Sequence, residues 1–373
     1  MRVLLTNNTL AGRAGTEMYV HDVARELMRL GHEPAAYSPF LGAVADLLRD
    51  AGVPVMRSLA ALPFRPDIIH GHHHIETMTA LASLPGVPAI YFCHGSTPWE
   101  EMPPVFPRIL RYVAVDTVCR ERVVRETFAA EERIHLLLNF VDTAMFQPRP
   151  PLPAVPARAL IFSNYATEAN YAASVRAACA QCGIALDVRG LGVGNPASEP
   201  QDLLPQYDIV FAKARAAIEA MAVGCAVVLC DGGGLGPMVS TGNFADLRPR
   251  NFGFTTLCNA PTVENITAAI HAYDPTDAEG VRDLVRSQAD MKNSVVEIVR
   301  LYGEVIAENA GRPSDAITEL RAAGAYLQTL DSVIKRTTMG TVPIVPPKMA
   351  PDAAALPPPV KTPWLRRMFG VGK

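Results

Sequence analysis

The chain has 373 residues, of which 49% are hydrophobic, and a formal net charge of −3 at pH 7. This length suits two hydrophobic cores rather than one, and the nearly balanced charge argues against the global basic field that favours nucleic acid as a partner. The amino terminus is typical of a first strand, apolar runs fall short of the ~20 residues of a membrane span, and the scattered cysteines indicate reduced thiols, which together predict a cytoplasmic protein.

Strands and helices alternate in residues 1–148, as expected of a doubly wound α/β domain. A loop over residues 12–15 leads into an amphipathic helix over residues 16–30, which ends at Gly31. The predicted strands cover residues 3–6, 34–38, 67–70, 89–94, 112–115 and 134–138.

A proline-dense linker over residues 149–156 precedes a second alternating region, residues 157–310. Its predicted strands cover residues 159–163, 185–190, 209–212, 226–230 and 252–257, and its predicted helices cover residues 168–181, 216–223, 263–272 and 291–308. A glycine-rich turn over residues 232–236 is expected to lead into a further helix. Ligands of such sheets bind at the carboxyl ends of the strands, so two facing sheets predict a site in the cleft between them.

An extra helix is predicted within residues 311–340, over residues 314–336, with Ser314 as its N-cap and an apolar stripe that suits packing better than a coiled coil. Residues 341–373 are rich in Pro and Ala and are expected to be disordered. They end in a small basic and aromatic patch, residues 364–369. An unstructured end and weak docking to a membrane surface or a partner both stay open for this patch.

Five segments in order carry a family resemblance: residues 15–32, 67–73, 92–95, 138–146, and 218–224 with the glycines of 232–236. They resemble the GT-B glycosyltransferases, especially the retaining family 4 type, over most of residues 1–308. The resemblance implies two Rossmann-like doubly wound domains that face each other across a cleft. It further implies transfer of a sugar from a nucleotide-diphosphate sugar, bound by the second domain, to a glycan, lipid or protein acceptor bound by the first. By the same resemblance the reaction is retaining and uses neither a metal nor a cofactor.

Glu219 lies on an otherwise apolar helix, where a carboxylate is costly to bury without a partner, and the hydroxyls of a ribose would suit it. The resemblance implies the same role for Glu219 and implies that His94 touches the transferred sugar or lines the cleft, and these two are the predicted catalytic residues. The implied donor-binding segment also contains Gly233, Gly234 and Leu235. The implied cleft wall and phosphate loop contain Gly12, Gly15, Thr16, His70 and His72.

The donor site departs from the family pattern. The family's first acid would fall on Phe211 or is lost through shortening of the loop, and residues 161–170 lack the Arg and Lys with which the family holds the diphosphate. Lys213 and Arg215 lie at a helix start, where free N–H groups and the helix dipole favour anions, and they are predicted to replace these cations. Asn164 is expected to donate a hydrogen bond to the donor.

Other interpretations compete with this one. His70, His72 and His74 alternate along a strand and could converge on a metal, but the resemblance explains the first two as cleft wall without one. The departures from the pattern make a GT-B nucleotide-sugar or glycan-binding protein without turnover the alternative function. An epimerase of the same fold would need paired carboxylates for acid and base, which the sequence does not supply. Contact of the tail with the inner face of a membrane would make the protein peripheral.

Overall fold

The computed structural model describes residues 1–313 and 315–338. The chain divides into two compact units, Met1–Tyr326 and Leu327–Lys373, and the described residues of the second unit continue a helix. The first part of the chain forms these strands and helices: β1 (Arg2–Thr6), β2 (Thr9–Leu10), α1 (Gly15–Arg29), β3 (Glu33–Tyr37), β4 (Phe40–Leu41), α2 (Ala43–Asp50), β5 (Val55–Met56), β6 (Ile68–His72), α3 (His74–Ser83), β7 (Ala89–Cys93), β8 (Ile109–Ala114), α4 (Thr117–Thr127) and β9 (Ile134–Leu136).

The second part forms these elements: β10 (Arg158–Phe162), α5 (Ala172–Gln181), β11 (Ala185–Arg189), α6 (Pro200–Leu203), β12 (Ile209–Ala212), α7 (Ala214–Val223), β13 (Ala226–Asp231), β14 (Gly234–Met238), α8 (Phe244–Leu247), α9 (Val263–His271), α10 (Pro275–Gln288), α11 (Met291–Ala310) and α12 (Ala316–Thr338). Two large sheets result. The first has the strand order β5-β3-β1-β6-β7-β8-β9 and the second the order β11-β10-β12-β13-β14. Every pair in them is parallel except β13 with β14, which confirms the predicted doubly wound α/β class.

Each sheet is buried on both faces, as the near-continuous apolar strands require. Successive residues of β1 show this directly, since Leu4 packs in one hydrophobic cluster and Leu5 in another on the opposite face. The second sheet is likewise enclosed between two clusters. Helices therefore cover both faces of both sheets.

Helix α11 follows the second sheet in sequence but packs on the first. Its buried residues Val295, Ile298, Leu301 and Tyr302 belong to the same cluster as Val3 and Leu5 of β1. The domain boundaries drawn from the sequence stay a prediction. They group residues 291–310 with the second sheet, whereas these residues pack on the first.

The structure corrects two predicted elements of the second sheet. The glycine-rich segment does not lead into a helix, because residues 234–238 form the edge strand β14, antiparallel to β13. Leu235 exchanges backbone hydrogen bonds with Asn259 at 2.7 and 2.9 Å, and Pro237, which lacks an N–H, fits an edge strand. The strand predicted over residues 252–257 is also absent, because Phe252 has a left-handed backbone (φ 52°) and Phe254–Thr256 form a 3₁₀ turn.

The last helix begins differently from the prediction. Ser314, the predicted N-cap, lies outside the described residues, and the side chain of Asp315 accepts hydrogen bonds from the N–H groups of Ile317 and Thr318. The predicted tail over residues 341–373, with its patch at 364–369, also lies outside the described residues. In the described part of the chain no helix is both long and apolar enough to cross a membrane.

The packing of α11 gives a first prediction. Val295→Ala removes buried methyl groups from the first core, where Val295 is fully buried, and is expected to lower the free energy of unfolding by about 2 kcal/mol. Val296→Ala is the matched control on the same helix, because Val296 is 54% exposed. Urea denaturation measures both, and equal losses for the two variants would contradict the packing of α11 on this core.

Candidate functional site

A stack of aromatic rings lies at the carboxyl ends of β6 and β7. The imidazole rings of His70 and His72 stack with centroids 4.6 Å apart, and those of His72 and His94 stack at 4.7 Å. Phe92 lies flat on His70 at 3.7 Å, and Tyr19 of α1 meets His94 edge-on at 4.6 Å. The parallel neighbours β6 and β7 place their ends side by side, which is why residues so distant in sequence meet.

Burial keeps these imidazoles neutral. It lowers the pKa of His94 to about 3, with a further decrease from nearby His73, and it holds the pKa values of His70 and His72 well below the usual range. A neutral imidazole offers one N–H donor and one acceptor nitrogen. The stack can therefore hydrogen-bond to hydroxyl groups but supplies no positive charge to a phosphate.

Several polar atoms of this cluster lack a hydrogen-bond partner among the described residues. They include both ring nitrogens of His72, Nε2 of His70 and of His94, and the hydroxyl of Tyr19. The other nitrogen of His70 bonds to the hydroxyl of Tyr302 on α11. Because buried polar groups are usually paired, this concentration of unpaired atoms marks the stack as a candidate for contact with a polar ligand.

His74, the third histidine of the alternating series, is not part of the stack. His74 begins α3 and turns to Tyr326, with its Nδ1 2.8 Å from the hydroxyl, and to the ring of Trp99. His70, His72 and His74 therefore do not converge, and no group of three or more His, Cys, Asp or Glu side chains in the described ranges is arranged to hold a metal.

The loop after β7 is organised by Glu101, which the sequence analysis missed. Its carboxylate accepts a hydrogen bond of 2.9 Å from the backbone N–H of His94 and lies 3.5 Å from Nε2 of His73. Arg122 donates to the carbonyls of Gly95 and Pro98 in the same loop. Burial raises the pKa of Glu101 to about 7, although the N–H of His94 and the charge of Arg122 oppose the shift. The only signal in the sequence was a pair of acids, Glu100 and Glu101, within a proline-rich loop.

Glu219 has a partner within the protein. Its Oε1 lies 2.7 Å from Nε of Arg215, one helical turn earlier on α7, and Nη2 of Arg215 lies 2.5 Å from Oδ2 of Asp22 on α1. Burial opposes the charge of Arg215, but the two carboxylates outweigh it and raise its pKa. Arg215 is therefore not the free phosphate cation that the sequence predicted, and Asp22 is a participant that no local pattern revealed.

Lys213, the second predicted cation, is paired as well. Its Nζ lies 2.5 Å from Oδ2 of Asp231 at the end of β13 and 5.5 Å from the ring centroid of Tyr165. Between Lys213 and Arg215, Ala214 adopts a left-handed backbone (φ 50°), held by its N–H bond of 2.9 Å to the carbonyl of Phe252. In this conformation both cations at the start of α7 are matched by carboxylates.

The loop before α1 reaches the second sheet. Nη1 of Arg13 donates to the carbonyl of Ser198, and Nδ2 of Asn164 lies 3.5 Å from the carbonyl of Arg13. A Cβ on Gly12 or on Gly15 would meet nothing within 4 Å, so the backbone here borders open space. The hydroxyl of Thr16 is directed to the carboxylate of Glu17 at 3.1 Å.

Asn164 also joins the loop after β10 to the segment after β11, because its Oδ1 accepts a hydrogen bond of 3.2 Å from the N–H of Leu191. The predicted donor contacts at Gly233, Gly234 and Leu235 lie on the hairpin between β13 and β14. The N–H of Leu235 is used by Asn259, and Leu235 is buried, so this hairpin does not form the N-terminus of a helix that a phosphate could use.

The chain is similar to known glycosyltransferases. Residues 13–145 match the protein family Glycosyltransferase Family 4. A glycosyltransferase from Rickettsia africae shares 16% identity over 82% of this chain and 98% of its own, with a TM-score of 0.58. HepE of Anabaena, solved with UDP and glucose, shares 14% identity over 81% of this chain and 99% of its own, with a TM-score of 0.58.

A third solved structure, sucrose-phosphate synthase from Thermosynechococcus elongatus, shares 12% identity over 82% of this chain and 99% of its own, with a TM-score of 0.56. No curated protein matches the chain. The family match over residues 13–145 agrees with the family resemblance predicted from the sequence, and the solved structures confirm the GT-B fold.

Buried Glu101 gives a prediction about pH. Its folded pKa of about 7 lies above the ordinary 4.5, so its contribution to stability is fully present below pH 4.5 and is lost as the pH rises through 7. Relative to Glu101→Gln, which keeps an acceptor for the N–H of His94, the native protein is expected to lose roughly 3 kcal/mol of unfolding free energy between pH 4.5 and 8.

Denaturant titrations at several pH values measure this difference. Glu132→Gln, at an exposed acid, is the control and is expected to show no such trend. A difference between Glu101→Gln and the native protein that stays constant with pH would contradict the buried, protonated state of Glu101.

Proposed function

We propose that this chain is a glycosyltransferase that moves a sugar from a nucleotide-diphosphate sugar to an acceptor in the cleft between its two sheets. One observation carries the proposal: α1 links both predicted catalytic residues. Tyr19 on this helix packs on His94, and Asp22, three residues later, binds Arg215 beside Glu219. Helix α1 therefore contacts both the side of the first sheet that is proposed to meet the sugar and the helix of the second that is proposed to hold the ribose.

In the proposed reaction, Glu219 accepts hydrogen bonds from the ribose hydroxyls, and neutral His94 hydrogen-bonds to the sugar being transferred. The bond between the anomeric carbon and the diphosphate oxygen breaks, and a bond from that carbon to the acceptor oxygen forms. The proton of the acceptor hydroxyl passes to the departing diphosphate on the same face, which retains the configuration. The carboxylates around α7, those of Asp22, Glu219 and Asp231, are each ion-paired, which supports a route without a carboxylate nucleophile.

The reaction is proposed to need no metal. The positive groups that would face the leaving diphosphate are then Lys213, Arg215 and the N–H groups that begin α7. The acceptor, whether glycan, lipid or protein, and the cytoplasmic location stay predictions.

A second function, binding of a nucleotide sugar or glycan without turnover, is favoured by two observations. Phe211 occupies the position of the family's first acid and is fully buried in the apolar core. Both cations of α7 are neutralised by carboxylates. A binding protein would use the same cleft but would not stabilise the charge that develops on a leaving diphosphate.

Thermal shift with a panel of UDP-, GDP-, ADP- and TDP-sugars tests the proposal. A donor present at about 100 times its Kd is expected to add roughly 2.7 kcal/mol of stability. Release of free sugar from the stabilising donor, followed over hours, then separates the two functions, since a transferase leaks slowly to water and a binding protein does not. Stabilisation by none of these donors would contradict both the transferase and the binding of a nucleotide sugar.

Glu219→Gln is expected to weaken binding of the stabilising donor roughly tenfold, because charge-assisted hydrogen bonds to the ribose are worth about 1.5–3 kcal/mol. Calorimetry of donor binding measures the change. Glu297→Gln on α11, whose acid pairs with Arg300 on the surface, is the matched control and is expected to bind as the native protein does. Equal affinities for Glu219→Gln and the native protein would remove Glu219 from the donor site.

A further inference from the structure

The ion pairs around Arg215 cross from one sheet to the other. Asp22 lies on α1, which packs on the first sheet, whereas Arg215 and Glu219 lie on α7, which packs on the second. The side chains are largely buried, with 6% of Asp22, 17% of Arg215 and 8% of Glu219 exposed. Oδ1 of Asp22 also lies 3.0 Å from Nδ1 of His21, so this carboxylate is held from both sides.

The two cations of α7 differ in where their partners come from. Lys213 pairs with Asp231, which belongs to the same sheet, so its ion pair does not depend on the separation of the two sheets. Arg215 has one partner on its own helix and one on the opposite side of the cleft. Of the ion pairs made by Lys213 and Arg215, movement of the sheets apart would therefore break the one between Arg215 and Asp22, along with crossing hydrogen bonds such as that from Arg13 to the carbonyl of Ser198.

We propose that Asp22 is an anion built into the cleft, which binds Arg215 when no donor is present, holds the two sheets together, and must be displaced by the donor's diphosphate. This inference rests on the proposed function, which places the diphosphate at the start of α7. A guanidinium presents its donors in a planar fork that suits carboxylate and phosphate oxygens equally. Asp22 and a phosphate therefore compete for the same face of Arg215.

Removal of the charge of Asp22 has two consequences under this proposal. The cleft loses its bridging ion pair and opens more often, and Arg215 becomes available to phosphate oxygens. Asp22→Asn preserves the size of the side chain and removes only the charge, so it tests both consequences. Asp46→Asn is the matched control, because Asp46 pairs with Arg49 within α2 at 2.9 Å, and its side chain is 68% exposed.

The first measurement needs no ligand. Small-angle X-ray scattering of the full chain is expected to give a larger radius of gyration for Asp22→Asn than for the native protein and for Asp46→Asn. An unchanged radius for Asp22→Asn, with its fold verified by circular dichroism, would overturn the proposal. If Asp22→Asn does not fold, Asp22→Ser provides the same test with a smaller neutral side chain.

The second measurement uses inorganic pyrophosphate as the probe. By calorimetry, Asp22→Asn is expected to bind pyrophosphate roughly tenfold more tightly than the native protein, which corresponds to about 1.4 kcal/mol, while Asp46→Asn is expected to match the native protein. Equal affinity, weaker binding or no binding in Asp22→Asn would show that Asp22 does not compete for Arg215.

The two measurements separate this inference from the proposed function. Tighter binding of pyrophosphate together with an open cleft supports the role of Asp22 even if no nucleotide sugar is bound or hydrolysed. Hydrolysis of a nucleotide sugar by a protein whose scattering and pyrophosphate affinity are unaffected by Asp22→Asn would leave the proposed function standing and overturn the inference.

Discussion

A guanidinium that is buried between two sheets must be matched by carboxylates, and this constraint organises the centre of the molecule. Desolvation of a charge is costly, and the cost is recovered only where opposite charges approach with good geometry. Arg215 meets the requirement with one carboxylate from each side of the cleft. The relative placement of α1 and α7 is thus tied to a specific electrostatic contact.

The two sides of the cleft differ in how they accommodate buried polar and ionisable side chains. The side built on the second sheet pairs its charges, as Lys213 does with Asp231. The side built on the first sheet contributes one paired charge, that of Asp22, and otherwise keeps the histidines neutral, because burial lowers their pKa values, while burial raises the pKa of Glu101. A neutral wall suits sugar hydroxyls, and a wall of paired ions suits a ligand that brings charge of its own, so the division agrees with the two ends of a nucleotide sugar.

The sequence predicted the fold better than the site. Apolar strands buried on both faces leave a strong periodic signal, so most strands of both sheets were placed within a few residues. β14 was missed because Gly234 and Pro237 are typical of a turn, and because its pairing with β13 depends on tertiary contacts. The chain carried a signal for α10 in Asp274 before Pro275, an N-cap followed by a first helical residue, and that signal was not used.

The site was harder because its contacts join residues that no local pattern relates. His94 and Glu219 were predicted through motifs, but Asp22 and Glu101 contact partners 193 and 7 residues away, respectively, which no motif relates to them. The positive charge of Arg215 was evident in the sequence, but its pairing with Asp22 was not. Helix α1 carries several acids, and only the fold decides which one faces the cleft.

The return of α11 to the first sheet has a consequence for how the protein is made. A ribosome releases the strands of the first sheet long before it releases Val295 and Ile298, which complete that sheet's core. Until residues 291–310 emerge, the apolar face that they cover stays open to water and to other chains, although the second sheet is already complete. The strands of the first sheet are thus synthesised first, but the core of that sheet is completed last.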